Sequence, residues 1–298
     1  MSKSPLQGLV IRTAVVLRPD LGFIYAADPK QEEKDIPHAI GFRWNAGAFQ
    51  RGDLNYSAHT VCHIAAPVPG LVDASEPGYY SLNAASGKTS GDILEDSDPP
   101  PKKPRRGGIR SVSEIAGKAY AVGFRGLVYR LDKKDRWTRI DDGLPAGFDI
   151  EAAHGFSGTD VYAVGEAGAV WHFNGKKWTK REMPTNASLN AVRCAGDSIV
   201  YIGGADGLLI AGRDETWKVI DHDETDDDVW DLEWFDGKLY VSTLSGVYRL
   251  KKDKLEPVKF GDDSPKSFYQ LSAAEGVLWS NGEHDIMSFD GKRWKRVV

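Results

Sequence analysis

A repeat of about 40 residues constrains the fold of this chain more than any other feature of its sequence. Between residues 109 and 298, five repeats each pair two apolar segments around a central turn and then close with a polar turn and a further apolar segment. Four of the central turns contain a glycine, at Gly126, Gly168, Gly207 and Gly246. Four of the closing segments contain a tryptophan, at Trp137, Trp178, Trp217 and Trp294, and Leu255 takes that place in the fourth repeat.

Each repeat has the composition of four short β-strands. In the second repeat these are residues 149–156, 160–165, 169–174 and 177–182, which are rich in Val, Tyr and Trp and are separated by Gly, Asn and Asp. The helical apolar spacing of 3.6 residues is absent, so arrays of helical repeats are excluded. Four strands in a period near 40 are typical of a β-propeller blade. The repeats therefore predict an all-β propeller of four-stranded blades, with the tryptophans packed between neighbouring blades.

The first 94 residues show the same organisation in diverged form. Residues 7–54 and 59–94 each divide into four strand-like segments, so we expect two further blades. These two diverged blades and the five clear repeats predict a single propeller of seven blades over residues 1–298, and a propeller of six blades is the alternative. Residues 95–108 contain acidic residues, three consecutive prolines and then a basic cluster, a composition that predicts an exposed loop between the blades.

Composition limits the functional classes. The chain has 41% hydrophobic residues and a net charge of −5, which argues against a general binder of nucleic acids or of anionic membranes. No apolar run of about 18 residues occurs, and the N-terminal sequence lacks the pattern of a signal peptide. We expect a cytoplasmic protein. Its two cysteines, Cys62 and Cys194, form neither a disulfide framework nor a metal-binding pattern.

No catalytic or metal-binding motif stands out. A sialidase-like propeller would need an arginine set and a tyrosine beside a carboxylate, for which the chain offers Arg12, Arg43, Arg110, Arg193, Tyr269 and Glu233. Their spacing does not distinguish them from ordinary strand residues. His59 and His63 would lie roughly 13 Å apart on one strand, too far to share a zinc ion with Cys62. We therefore expect no enzyme activity, no cofactor and no metal, with a diverged propeller hydrolase as an alternative.

The loops can be sorted by face. In a four-stranded blade, the connection to the next blade and the turn between the second and third strands emerge on one face, and the other two turns emerge on the opposite face. This rule predicts one strongly acidic face and one weakly basic face. The acidic face is the predicted partner-binding surface because long loops on a rigid scaffold often carry binding function. Its candidate residues are Asp141, Asp142, Glu166, Asp206, Asp223, Glu224, Asp226, Asp227, Asp228, Asp262 and Asp263.

Residues 221–231 are the densest part of this acidic face. A solvated surface and a calcium site are the alternative interpretations, although the spacing and glycine of an EF-hand are missing. Trp230 follows the acidic run, and we expect it to be buried in an innermost strand.

The repeats YAVGFRGLVYRL and YAVGEAGAVWHF resemble the bacterial propeller repeats of the WD40, YVTN and BNR-like groups, which include photosystem assembly factors. The chain also resembles immunity proteins of this architecture, which neutralise a secreted antibacterial toxin inside the producing cell. This resemblance implies a non-enzymatic, protein-binding propeller. The acidic face predicts that the partner is a basic protein, with a nuclease toxin as one candidate. The net charge predicts no direct contact with nucleic acid or membrane. An assembly factor or scaffold is the alternative.

Overall fold

The chain folds into seven β-sheets that form one closed ring in a computed structural model, which describes residues 4–95, 97–98 and 107–298. Each sheet contains four antiparallel strands that follow one another in chain order, and a two-residue strand, Ser97–Asp98, adds to the outer edge of the third sheet. The innermost strands of consecutive blades contact each other around the whole ring, and β1 contacts β26 to close it. The all-β, seven-bladed fold predicted from the repeats is confirmed.

The strands of each blade, from the innermost to the outermost, have the following bounds. Blade 1 contains β1 (Val10–Arg18), β2 (Leu21–Ala27), β3 (Ala39–Asn45) and β4 (Ala48–Leu54), and blade 2 contains β5 (Ala58–Ile64), β6 (Gly70–Ser75), β7 (Tyr79–Ala84) and β8 (Gly87–Asp92). After the short strand β9 (Ser97–Asp98), blade 3 contains β10 (Ile109–Ile115), β11 (Lys118–Gly123), β12 (Leu127–Lys133) and β13 (Arg136–Arg139). Blade 4 contains β14 (Ile150–Ser157), β15 (Asp160–Gly165), β16 (Val170–Phe173) and β17 (Trp178–Arg181).

Blade 5 contains β18 (Leu189–Cys194), β19 (Val200–Gly204), β20 (Leu209–Arg213) and β21 (Thr216–Val219), and blade 6 contains β22 (Asp231–Phe235), β23 (Lys238–Ser242), β24 (Val247–Lys251) and β25 (Lys254–Pro257). Blade 7 contains β26 (Gln270–Ala274), β27 (Val277–Asn281), β28 (Ile286–Phe289) and β29 (Trp294–Arg296). The described helical segments are a four-residue helix, α1 (Pro29–Glu32), and a 3-10 turn (Phe124–Gly126).

The repeated tryptophans pack between blades, as the sequence predicts. The ring of Trp137 lies 5.4 Å from that of Tyr80 in the preceding blade, and the Trp178 indole donates a 2.6 Å hydrogen bond to the carbonyl of Ile140, at the end of blade 3. Trp217 likewise contacts Tyr162 of the preceding blade, and Trp294 contacts Phe260 in the connection that leads from the preceding blade. Leu255, which replaces tryptophan in the fourth repeat, is also buried. One apolar side chain per repeat thus fills the wedge between neighbouring sheets.

The ring closes without any exchange of strands between the termini. The first strand is the innermost strand of blade 1, and the last is the outermost strand of blade 7. Trp279 of blade 7 is fully buried and lies 5.4 Å from Trp44 of blade 1, ring centroid to centroid. The backbone amide of Ile11 donates a 2.8 Å hydrogen bond to the carbonyl of Glu283. Apolar packing and hydrogen bonds therefore seal the closure.

A buried carboxylate joins blades 1 and 2 in a way that the sequence analysis missed. Asp73, which is fully buried, accepts hydrogen bonds from Tyr25 (3.0 Å), Ser81 (2.7 Å) and Tyr56. Burial raises the pKa of Asp73, and the three hydroxyl donors oppose that rise. Because the carboxylate has several partners, it acts as a structural link.

Part of the predicted loop at residues 95–108 can be described. Ser97–Asp98 forms a two-residue strand that pairs in parallel with Trp137 and Thr138 of blade 3. Residues 96 and 99–106, which include the prolines and the basic cluster, lie outside the described residues. Cys62 and Cys194 are free, buried thiols on the innermost strands of blades 2 and 5. Within the described ranges, no helix has the length and apolarity needed to cross a membrane.

We predict that Trp137→Ala lowers the free energy of unfolding by about 3–5 kcal/mol, because it leaves a large cavity between blades 2 and 3. Trp137→Phe should cost less than half as much, because it keeps most of the ring and removes an indole N–H that has no hydrogen-bond partner within the described chain. Urea unfolding monitored by circular dichroism measures both values. A loss below about 1 kcal/mol for the alanine variant would contradict the role of Trp137 in packing between blades.

Candidate functional site

The connections between blades and the turns between second and third strands meet on one face of the ring, which we call the loop face. The backbone amide of Gly168, in such a turn of blade 4, donates a 2.8 Å hydrogen bond to the carbonyl of Ala187 in the connection to blade 5. The amide of Asp206 in blade 5 donates a 3.0 Å bond to the Asp228 carboxylate in the connection to blade 6. These contacts agree with the loop sorting used in the sequence analysis.

The acidic loop, residues 221–230, is anchored to the loop face. The ring Nε2 of His222 lies 2.9 Å from the carbonyl of Gly207 and donates a hydrogen bond to it. Gly207 has φ +70°, and a Cβ atom there would lie 2.3 Å from the carbonyl oxygen of Thr225. The turn therefore requires glycine, both for its backbone conformation and for the close approach of the acidic loop. The contact of Asp227 with the Ser245 hydroxyl also ties the loop to blade 6.

The structure divides the eleven predicted acidic residues into two groups. Four have partners: Asp141 pairs with Arg139, Asp227 accepts from Ser245, Asp228 accepts from the Asp206 amide, and Asp263 pairs with Arg296. The other seven are exposed, and their carboxylates have no hydrogen bond or ion pair within the described chain: Asp142, Glu166, Asp206, Asp223, Glu224, Asp226 and Asp262. Only this second group presents free carboxylates to a partner.

A cavity of about 780 Å³ occupies the centre of the ring and is lined mainly by the innermost strands. Three of the four arginines considered from the sequence reach it, and each forms an ion pair: Arg12 with Glu32 (2.6 Å), Arg110 with Glu151 (2.6 Å), and Arg193 with Glu233. Arg43 lies on the third strand of blade 1 and is not among the lining residues. The arginines are therefore neutralised by neighbouring carboxylates.

Tyr269 and Glu233 also line this cavity, but they do not form a nucleophile and base pair. Glu233 accepts from Arg193 and from the backbone amide of Trp234 (2.9 Å), and within the described chain no hydrogen bond joins it to Tyr269. Burial raises the pKa of the Tyr269 hydroxyl, so the hydroxyl keeps its proton at neutral pH. Tyr269 is therefore not activated by Glu233 as a nucleophile.

No group of three or more His, Cys, Asp or Glu side chains that could hold a metal ion occurs within the described ranges. His59 instead hydrogen-bonds to the carbonyl of Arg110, at 3.1 Å, and burial lowers its pKa.

Exposed large apolar side chains are the feature of the loop face that the sequence analysis missed. Four such residues occur in the described chain: Ile36 (46% exposed), Tyr79 (51%), Val219 (45%) and Leu244 (59%). Ile36 and Leu244 lie in turns between second and third strands, Tyr79 begins a third strand, and Val219 ends an outermost strand. All four positions are therefore on the loop face or at its edge. The sequence did contain a signal for Leu244: it lies in a turn that contains glycine, and a large apolar residue in an exposed turn indicates a possible contact surface.

The expectation that Trp230 is buried in an innermost strand is wrong. Trp230 immediately precedes β22, is half-buried and lines the central cavity. Its ring packs against that of Tyr269, with centroids 5.6 Å apart. Its backbone amide donates a 2.9 Å hydrogen bond to the carbonyl of Ser242, at the end of β23, so Trp230 is held at the edge of the sheet and not within it.

We predict that Glu233 makes stability fall as the pH rises from about 5 to about 7. Burial raises its pKa from the ordinary value of 4.5 to about 7 in the folded chain, with Arg193 opposing that rise. The folded state thus binds more protons than the unfolded state in this window, and the contribution is lost as the pH passes 7. Glu233→Gln should flatten this part of the profile, measured by urea unfolding at pH 5, 6, 7 and 8. An unchanged slope would contradict the raised pKa.

No protein-family model matches the chain. Several solved propellers share its fold at low sequence identity. The WD40 propeller domain of Doa1 superimposes with a TM-score of 0.70 and 10% identity, covering 95% of this chain and 94% of that one. YCF48 bound to a D1 peptide superimposes with a TM-score of 0.66 and 13% identity, covering 94% of this chain and 93% of that one. At these identities the comparisons establish the propeller fold alone.

The sequence comparison gives a closer relationship. The immune protein Tsi7 of Pseudomonas aeruginosa is 38% identical to this chain over 300 aligned positions, which cover 96% of each protein. Identity at this level across the whole propeller confirms the resemblance to immunity proteins inferred from the sequence. The chain belongs to the family of the immune protein Tsi7.

Proposed function

We propose that this chain is a cytoplasmic immunity protein that protects the cell producing it by binding an antibacterial toxin through the loop face. Family membership supports the immunity role. One observation supports the loop face as the binding surface. The exposed large apolar residues lie on the same face as the predicted acidic residues that have no partner within the described chain. Apolar anchors within a polar surround are the usual composition of a protein interface.

The chemistry of this face favours a basic partner. Asp223, Glu224 and Asp226 are exposed, and the loop that carries them is tied to the turns of blades 5 and 6. Fixed, unpaired carboxylates attract a basic surface over a distance comparable to the Debye length, about 8 Å at physiological salt. Such steering accelerates association and selects partners by charge.

A nuclease toxin is the partner that we propose. An enzyme that binds DNA or RNA needs a basic surface to hold phosphates, so an acidic inhibitor can occupy that surface directly. Inhibition by occupation needs no catalytic group in the inhibitor. The ion-paired arginines and the protonated Tyr269 in the central cavity support this non-enzymatic role.

The immunity role is tested with the toxin encoded beside the gene for this chain. Expression of that toxin alone should stop growth, and co-expression of this chain should restore it. The two purified proteins should form a stable complex in which the activity of the toxin on DNA or RNA is abolished. Growth arrest that persists despite normal levels of the soluble chain would overturn the proposal.

We predict that replacing Asp223, Glu224 and Asp226 by lysine slows association with this toxin by at least about tenfold and weakens its dependence on salt. The measurement is surface plasmon resonance at several salt concentrations. The matched control replaces Asp135, Asp214 and Glu275, three exposed acidic residues in turns of the opposite face, by lysine. Both variants change the net charge equally, so only a local effect separates them. Equal association rates for the two variants at low salt would exclude the acidic loop from the interface.

A further inference from the structure

The mouth of the central cavity on the loop face combines apolar and aromatic side chains. Leu244, which is 59% exposed, lines the cavity together with Trp230, Phe268 and Tyr269. The half-buried Trp230 and Tyr269 rings contact each other there. Leu244 is the most exposed large apolar residue in the described chain. A partner that covers this mouth would remove its side chain from water.

The mouth is also continuous with the acidic loop. Trp230 is the last residue of that loop, and Leu244 lies next to Ser245, whose hydroxyl donates to Asp227. A toxin that contacts the acidic loop would therefore extend over the mouth of the cavity.

Negative charge is in excess around the mouth. The arginines that line the cavity, Arg12, Arg110 and Arg193, are each paired with a glutamate. Three lining carboxylates form no ion pair in the described chain, those of Glu114, Asp231 and Glu283, and of these Asp231 and Glu283 lie toward the loop face. Asp231 accepts 2.8 Å hydrogen bonds from the backbone amides of Leu232 and Leu271, and Glu283 is exposed. The site is therefore complementary to a cationic group.

We propose, on the basis of the proposed function, that the toxin inserts an arginine or lysine side chain into this mouth. The aliphatic stem packs on Leu244 and on the Trp230–Tyr269 pair, and the charged end enters the field of Asp231 and Glu283. Long cationic side chains combine an apolar stem with a charged end, and aromatic faces attract cations. An anionic side chain would meet the carboxylates of Asp231 and Glu283, while each arginine that lines the cavity already has a glutamate partner.

The apolar contact is tested with Leu244→Asn, a change of similar size without charge, and with Thr216→Asn as the control, at an exposed position on the opposite face. Thermal unfolding checks that both variants fold. With the toxin encoded beside the gene as the probe, Leu244→Asn should accelerate dissociation by about tenfold or more, and Thr216→Asn by less than about twofold. If Leu244→Asn dissociates at the unsubstituted rate while lysines in the acidic loop still slow association, the insertion proposal fails and the proposed function stands.

The charge of the inserted group is tested with Glu151→Gln, which leaves the Arg110 guanidinium without its partner at the mouth. For a cationic occupant, this variant should raise the dissociation constant about tenfold, and the double variant Arg110→Gln/Glu151→Gln should restore it to within about twofold. A dissociation constant that falls in Glu151→Gln would identify an anionic occupant and overturn the proposal. An unchanged constant would overturn it as well, because a cation in the mouth must sense the freed guanidinium.

Discussion

Apolar packing between neighbouring blades is the interaction on which the rest of this structure depends. Each four-stranded sheet has two faces, and neither can be buried within its own blade. Seven sheets bury them against each other by closing into a ring, with a tryptophan or a leucine between most neighbours. Once the ring closes, the innermost strands surround a central cavity, and the loops are confined to two opposite faces.

This architecture separates stability from binding. The buried Trp137, Trp178 and Trp279 and the Asp73 cluster stabilise the contacts between blades and are inaccessible to a partner. The loop face is free to vary because its connections run over the ends of the sheets. Its loops are nevertheless fixed in position, since the acidic loop bonds to turns of two blades. A rigid surface loses little conformational entropy when it binds.

The loop face also shows why charge alone is a poor guide to the proposed binding surface. Four of the eleven predicted acidic residues have partners within the chain, so they contribute less to the field at the surface. Asp263, for example, is paired with Arg296, which lies on the last strand of blade 7. The apolar side chains supply a hydrophobic contribution that acidic residues lack, because the free energy falls when a partner excludes water from them.

The sequence alone determined the architecture, because the spacing of Gly and Trp and the alternation of short apolar segments report local structure at every repeat. It also located the acidic loop and the inter-blade tryptophans, since both follow from position within a blade. Only the tertiary structure decided which acidic residues remain free, because pairs such as Arg296 with Asp263 join residues that are distant in the sequence. It likewise decided that Tyr269 packs on Trp230 at the cavity mouth. That contact joins the connections that precede the innermost strands of two neighbouring blades, and no local pattern in the sequence encodes it.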